Sequence, residues 1–95
     1  VYFVLFESTT PSSKSSLSKT FYKTLLPLLH QNPGFISDKP YSSPTAPLRG
    51  LELATFESEE ANKKWRTQTT HVSIMKKARE NTFEDYRIRV GYMLP

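Results

Sequence analysis

The spacing of apolar positions changes several times along the chain, and each change marks an element. Residues 1–6 are apolar or aromatic throughout, which predicts a strand buried on both faces. Residues 7–18 are rich in Ser, Thr, Pro and Lys and predict a loop. Phe21, Leu25, Leu28 and Leu29 then fall at i, i+4, i+7 and i+8, an amphipathic helix with Ser16 or Ser18 near its N-cap. Pro27 inside it predicts a kink or a detached last turn, and Asn32-Pro33-Gly34 ends it. Residues 35–41 predict a second strand, interrupted by Lys39-Pro40, and residues 42–47 a loop holding Pro44 and Pro47. A third strand over 48–57 puts Leu51, Leu53 and Thr55 on one face and Glu52, Ala54 and Phe56 on the other. Ser58 followed by Glu59 and Glu60 starts a second helix, which runs to about Arg79 or Asn81. The poor helix formers Thr67-Gln68-Thr69-Thr70 predict a break within it. Residues 85–93 alternate Tyr86, Ile88, Val90 and Tyr92 with Arg87, Arg89 and Gly91, a fourth strand.

The order β-α-β-β-α-β predicts an α+β, ferredoxin-like protomer: a four-stranded antiparallel sheet with two helices on one face. The first strand is apolar on both faces and the third offers Ala54 and Phe56 opposite Leu51 and Leu53, so the helix-free face carries too much apolar surface for water. A second copy packed sheet to sheet would cover it, so a homodimer is expected.

Composition narrows the picture. Ninety-five residues predict one domain over 1–95, with 13% aromatic residues to fill its core. The absence of cysteine excludes disulfides, thiol nucleophiles and thiolate metal sites. No apolar run approaches a membrane span, so no membrane partner is expected, and the cytoplasm is the default location. The chain opens on Val1, which reads as a processed or trimmed start. Net charge is +4, concentrated at Lys63, Lys64, Arg66, Lys76, Lys77 and Arg79. Without a nucleic-acid-binding motif beside it, this stretch reads as the wet side of a helix, and no nucleic-acid partner is expected.

From Phe56 the chain reads Phe56-Glu57-Ser58-Glu59-Glu60-Ala61-Asn62-Lys63-Lys64-Trp65-Arg66, then His71, Arg79-Glu80 and Tyr86-Arg87-Ile88-Arg89-Val90. This resembles the antibiotic biosynthesis monooxygenase (ABM) family of dimeric α+β barrels. That family's second helix carries Ala…Trp-Arg…His…Gln-x-x-Gly-Arg before a closing Tyr-Arg-x-x-Val strand. Two positions depart: Met75 stands where Gln is usual and Ala78 where Gly is usual. The resemblance implies a small-molecule pocket for an aromatic, phenolic polyketide-type metabolite and, where members are catalytic, monooxygenation by O₂ without a cofactor. A non-catalytic binding module, or a cofactor-free isomerase or cyclase, is the alternative on the same scaffold.

On that resemblance Trp65 is a pocket wall, with core packing as the plainer role. His71 suits deprotonation of a phenol, with a structural or dimer-contact role as the alternative. On an ideal helix it lies about 120° from Trp65, so only a kink at the Thr run would bring both into one cavity. Tyr86 is the third expected catalytic group, a hydrogen-bond partner for a phenolic or quinone oxygen. Phe21, Tyr22, Met75 and Arg79 are the expected substrate contacts. Arg79 would steady an anion, unless a salt bridge to Glu80, Glu84 or Asp85 holds it. Asn62 stands one position from where some oxygenases of the family place a catalytic Asn and carries little weight. His30 reads as a helix C-cap. Haem-degrading relatives use a His about ten positions after the Trp and an Asn late in the first strand. Met75 and Glu7 stand there instead, so no haem is expected. The two histidines have no ligand spacing and there is no phosphate-binding glycine loop, so neither a metal nor a nucleotide cofactor is expected.

Overall fold

The computed structural model describes residues 1–94. Four antiparallel strands, β1 (Tyr2–Thr9), β2 (Phe35–Ser42), β3 (Arg49–Phe56) and β4 (Asp85–Tyr92), form one sheet in the order β2-β3-β1-β4. The helices are α1 (Ser15–His30), α2 (Glu59–Arg66) and α3 (Thr69–Asn81). The ferredoxin-like plan expected from the sequence is the plan observed. Its details differ at the start of α1, at Pro27 and at Pro40.

A short 3₁₀ turn over Ser12–Lys14 leads directly into α1, which therefore starts earlier than Ser16 or Ser18 would place it as caps. No side chain caps it. Pro27 does not split off the last turn, and the helix runs through it to His30. Likewise Pro40 lies within β2 without ending it, because β2 is an edge strand whose outer side needs no donor. The break expected at Thr67-Gln68-Thr69-Thr70 is present and divides the second helix into α2 and α3. Thr67 Oγ1 donates back to the Lys63 carbonyl at 2.8 Å, and Gln68 turns to an extended ψ of 127°.

Register fixes which side chains share a face. Tyr2, Val4 and Phe6 of β1 align with Phe56, Ala54 and Glu52 of β3 and with Tyr92, Val90 and Ile88 of β4. This is the helix-covered face. Phe56 is fully buried there among Leu29, Ala61 and Trp65, with Val4, Leu25, Leu28, Phe35 and Ala54 packed around them. The turn into β2 requires glycine: Gly34 has φ +82°, and a Cβ there would lie 2.6 Å from the Ala61 Cβ. That contact sets α2 close to the sheet.

The helix-free face carries Phe3, Leu5, Leu51 and Leu53, all half-buried. Phe3 covers Gly91, where an added Cβ would meet its ring at 3.1 Å. At one end of that face Arg49 bridges Glu7 at 3.0 Å and Asp85 at 3.3 Å. Among the described residues no helix is long and apolar enough to cross a membrane.

Candidate active site

Between the helices and the sheet lies a cavity of about 350 Å³. Its floor is Val4, Phe6, Ala54 and Phe56, with Ile88 and Val90 along β4, where both stay about half exposed. Its roof comes from Tyr22, Leu25, Leu26 and Leu29 of α1, spaced i, i+3, i+4 and i+7. The stripe of α1 that faces the cavity is thus rotated slightly from the one expected: Tyr22 lies on it and Phe21 does not. α2 and α3 close the remaining side with Asn62, Trp65, His71, Met75 and Arg79.

The break between α2 and α3 is what unites Trp65 and His71. Their rings stack with centroids 4.1 Å apart and planes 14° from parallel. Because α2 ends at Arg66, the Trp65 carbonyl has no partner a full turn on. It accepts from the Gln68 amide at 3.1 Å and stands 2.9 Å from His71 Nδ1. A carbonyl only accepts, so a neutral imidazole here carries its proton on Nδ1 and leaves the Nε2 lone pair free. Gln68 Oε1 accepts the His71 backbone N–H at 2.6 Å and caps α3. Burial holds the His71 pKa below the ordinary 6.5, opposed by the bond to the Trp65 carbonyl and reinforced by the charge of Arg79. The product is an imidazole that favours its uncharged form, held in one tautomer on an aromatic platform.

Arg79 makes none of the salt bridges considered for it. Its guanidinium lies 5.8 Å from the Tyr86 ring centroid, while Asp85 pairs with Arg49. Tyr86 itself stands outside the cavity lining. It stacks on Phe6 at 6.0 Å and is 45% exposed, because the register pairs it with Ser8, at the far end of β1 from Tyr2. His30, the last residue of α1, packs edge-on against Phe35 at 5.1 Å and takes no part in the cavity.

Two features of the lining stand out against the sequence reading, which gives Asn62 little weight and assigns no role to an acidic group. Asn62 is only 6% exposed and lines the cavity, and its side chain has no hydrogen-bond partner among the described residues. Its place three residues before Trp65, on the same helical face, was the available signal. The other is an acidic group: Tyr22 donates to Asp38 Oδ2 at 2.6 Å, and Glu52 lines the cavity beside them. Burial, then the neighbouring Asp38 carboxyl, with which a proton can be shared and whose charge opposes ionisation, push the Glu52 carboxyl up to about 8. Burial and the bond to Asp38 likewise raise the Tyr22 phenol. The alternation in the sequence places Glu52 on one face with Ala54 and Phe56, and the structure shows that face to be the helix-covered one.

Over 91 residues, 96% of its length, the chain is 34% identical to the jasmonate monooxygenase ABM of Pyricularia oryzae. It spans about two fifths of that relative, 42% of its length. No family model matches the chain. Among solved structures, an antibiotic biosynthesis monooxygenase superposes with a TM-score of 0.84 at 9% identity, with all of both chains covered. SnoaB, a cofactor-independent oxygenase from Streptomyces nogalater, superposes with a TM-score of 0.83 at 9% identity, over 97% of this chain and 91% of that one. At such identities the structural likeness speaks for the fold.

Proposed function

We propose that this chain, an ABM-like protein by sequence and fold, oxygenates a small, largely apolar aromatic substrate with O₂, drawing on no cofactor, with His71 as the base. The observation that carries this reading is the Trp65–His71 stack: a neutral imidazole with its Nε2 free, in a mostly apolar cavity. Such a base takes a proton from a phenol or from an activated C–H beside a carbonyl. The resulting anion is electron-rich enough to reduce O₂, and a C–O bond forms as a hydroperoxide. Loss of water then turns a CH₂ into a C=O, one oxygen atom staying in the product and the other leaving as water. Arg79 steadies the anion, Asn62 offers its amide to the substrate oxygen, and Trp65 provides a flat wall that keeps water away. Tyr86 acts by holding Arg79 at the rim and not by touching substrate.

The apolar band Phe3, Leu5, Leu51 and Leu53 supports a homodimer packed through the helix-free faces. The two guanidinium groups in the lining, Arg66 and Arg79, favour a second substrate class, a small apolar carboxylate. A jasmonate, the compound in the fungal relative's name, is one. Its hydroxylation would consume O₂ together with a two-electron reductant, and the second oxygen would again leave as water.

Oxygen uptake on anthrone, with anthraquinone as product, tests the first reading; jasmonic acid with a reduced nicotinamide nucleotide tests the second. Trp65→Phe and His71→Ala are expected to slow the productive reaction. Uptake that neither variant changes would move the chemistry away from this site. No uptake on either substrate overturns the oxygenase reading.

A further inference from the structure

The Tyr22–Asp38–Glu52 group lines the cavity, yet the deprotonation described above makes no use of it. It is assembled from three elements, α1, the edge strand β2 and β3, so it is not the accident of one loop. Tyr22 donates to Asp38 Oδ2, which leaves Asp38 Oδ1 buried without a partner. Two neighbouring carboxyls out of water cannot both ionise. A proton held on Glu52 both removes the like-charge repulsion and supplies the donor that Oδ1 lacks. Glu52 then has one oxygen left as an acceptor facing the cavity. Among the described residues no third His, Cys, Asp or Glu joins the pair to make a metal-binding group. Its chemistry is therefore that of a shared proton.

Asn62 is a second polar group of the same lining that a ligand atom could meet. It is more than nine-tenths buried and lines the same cavity with its amide unpartnered among the described residues. Such an amide costs stability unless a ligand atom or water meets it. The two ends of the cavity differ in charge. Asp38 and Glu52 stand at the β2–β3 side of the sheet, while Arg79 lies against Tyr86 of β4, at the opposite edge.

We propose that Tyr22, Asp38 and Glu52 form a hydroxyl-recognition site that fixes the direction in which substrate lies. Glu52 accepts a hydrogen bond from a neutral hydroxyl at the β2–β3 end. The negative charge on the pair turns an anionic end away, toward Arg79 and His71. A substrate with one hydroxyl remote from its reacting carbon is thereby presented to Nε2 in a single orientation. This site rests on the cavity being the substrate pocket, and the test separates the two ideas.

The probes are 2-naphthol and 2-methylnaphthalene, alike in shape and differing in a hydroxyl for a methyl. Trp65 is the only tryptophan, so its indole N–H resonance reports occupancy of the cavity without assignment work. The unaltered protein is expected to bind 2-naphthol about tenfold more tightly, the worth of one hydrogen bond to a charge-backed acceptor. Glu52→Leu is expected to abolish that ratio while still binding 2-methylnaphthalene. Glu52→Gln, whose amide can donate to Asp38 Oδ1 and keeps a carbonyl for the ligand, is expected to retain most of it. Should the leucine variant not fold, Asp38→Asn removes the charge behind the acceptor and is expected to lower the ratio about threefold. Both probes binding equally to the unaltered protein, or a ratio that Glu52→Leu or Asp38→Asn leaves unchanged, overturns the hydroxyl site alone. Neither probe shifting the Trp65 resonance overturns the substrate-pocket reading and the hydroxyl site with it.

Discussion

His71 and Glu52 face the same cavity, and burial shifts their pKa values in opposite directions, with the same result. The imidazole is held below 6.5 and the carboxyl is pushed up to about 8, so each favours its uncharged form near neutral pH. What separates them is company. His71 stacks on Trp65 and gives its one proton to a backbone carbonyl, so its free nitrogen is an empty acceptor. Glu52 sits beside a second carboxyl, so its proton is already engaged. Desolvation alone thus does not assign a role; on the two readings proposed above, neighbours suit one neutral group to act as a base and the other as a hydrogen-bonding anchor.

The sharpest way to break this contrast is to remove the base. His71→Ala is expected to lower turnover about 10²–10⁴-fold, the usual worth of a positioned general base. Stability should change far less, since α3 keeps its Gln68 cap. In the unaltered protein the active form is neutral His71. Activity on anthrone should therefore fall as pH drops through the depressed His71 value, at lower pH than an ordinary imidazole would give. A pH–rate profile of kcat/KM checks the sign; a fall on the alkaline side only would assign the base elsewhere.

The next largest effect belongs to the acid side and is one of stability. Glu52 has a raised pKa in the fold, from 4.5 to about 8. Between those values the folded chain binds the proton that the unfolded chain has lost, so stability declines as pH rises across the window. The favourable contribution is complete below about 4.5 and lost above about 8. Glu52→Gln should flatten that decline, a difference on the order of a few kcal/mol at the alkaline end, at ~1.4 kcal/mol per pKa unit. Urea unfolding at a series of pH values measures it. Parallel curves for the two proteins would mean that Glu52 is not held neutral.

The two sides also differed in how far the sequence revealed them. The strands, their faces and the break at Thr67-Gln68 follow from periodicity and propensity, which are local. Trp65 and His71 were legible because a sequence pattern singled them out, and the break then removed the 120° that separated them on an ideal helix. The acid group was not legible in the same way. Asp38 and Glu52 are 14 positions apart and Tyr22 lies 16 before Asp38. The β2–β3 register, with its irregularity between Phe35 and Ser37, sets Asp38 near Glu52 on one face, and the packing of α1 over the sheet adds Tyr22. Tyr86 and Phe21 fall outside the cavity lining for a related reason. Each lies on the correct element, but Tyr86 stands beyond the end of the cavity and Phe21 at the margin of the inward stripe. Faces can be read from alternation; depth along a strand cannot.

The smallest effect tests how His71 keeps its geometry. Gln68 Oε1 accepts the His71 backbone N–H at 2.6 Å, and Ser58 Oγ accepts the Ala61 N–H at 3.2 Å, so each caps a helix. Gln68→Ala and Ser58→Ala should each cost about 1 kcal/mol of stability, seen as similar shifts of the urea midpoint. Their effects on turnover should differ. The Gln68 cap sets where α3 begins, and with it the angle at which the imidazole meets Trp65. Its loss should slow turnover severalfold while leaving the pH–rate profile in place, because the base is the same. Ser58 lies a full helix away and its loss should leave turnover alone. Equal slowing by both variants would mean that general loosening governs the rate. No slowing by either would mean that the stack on Trp65 and the bond to its carbonyl suffice to hold the base.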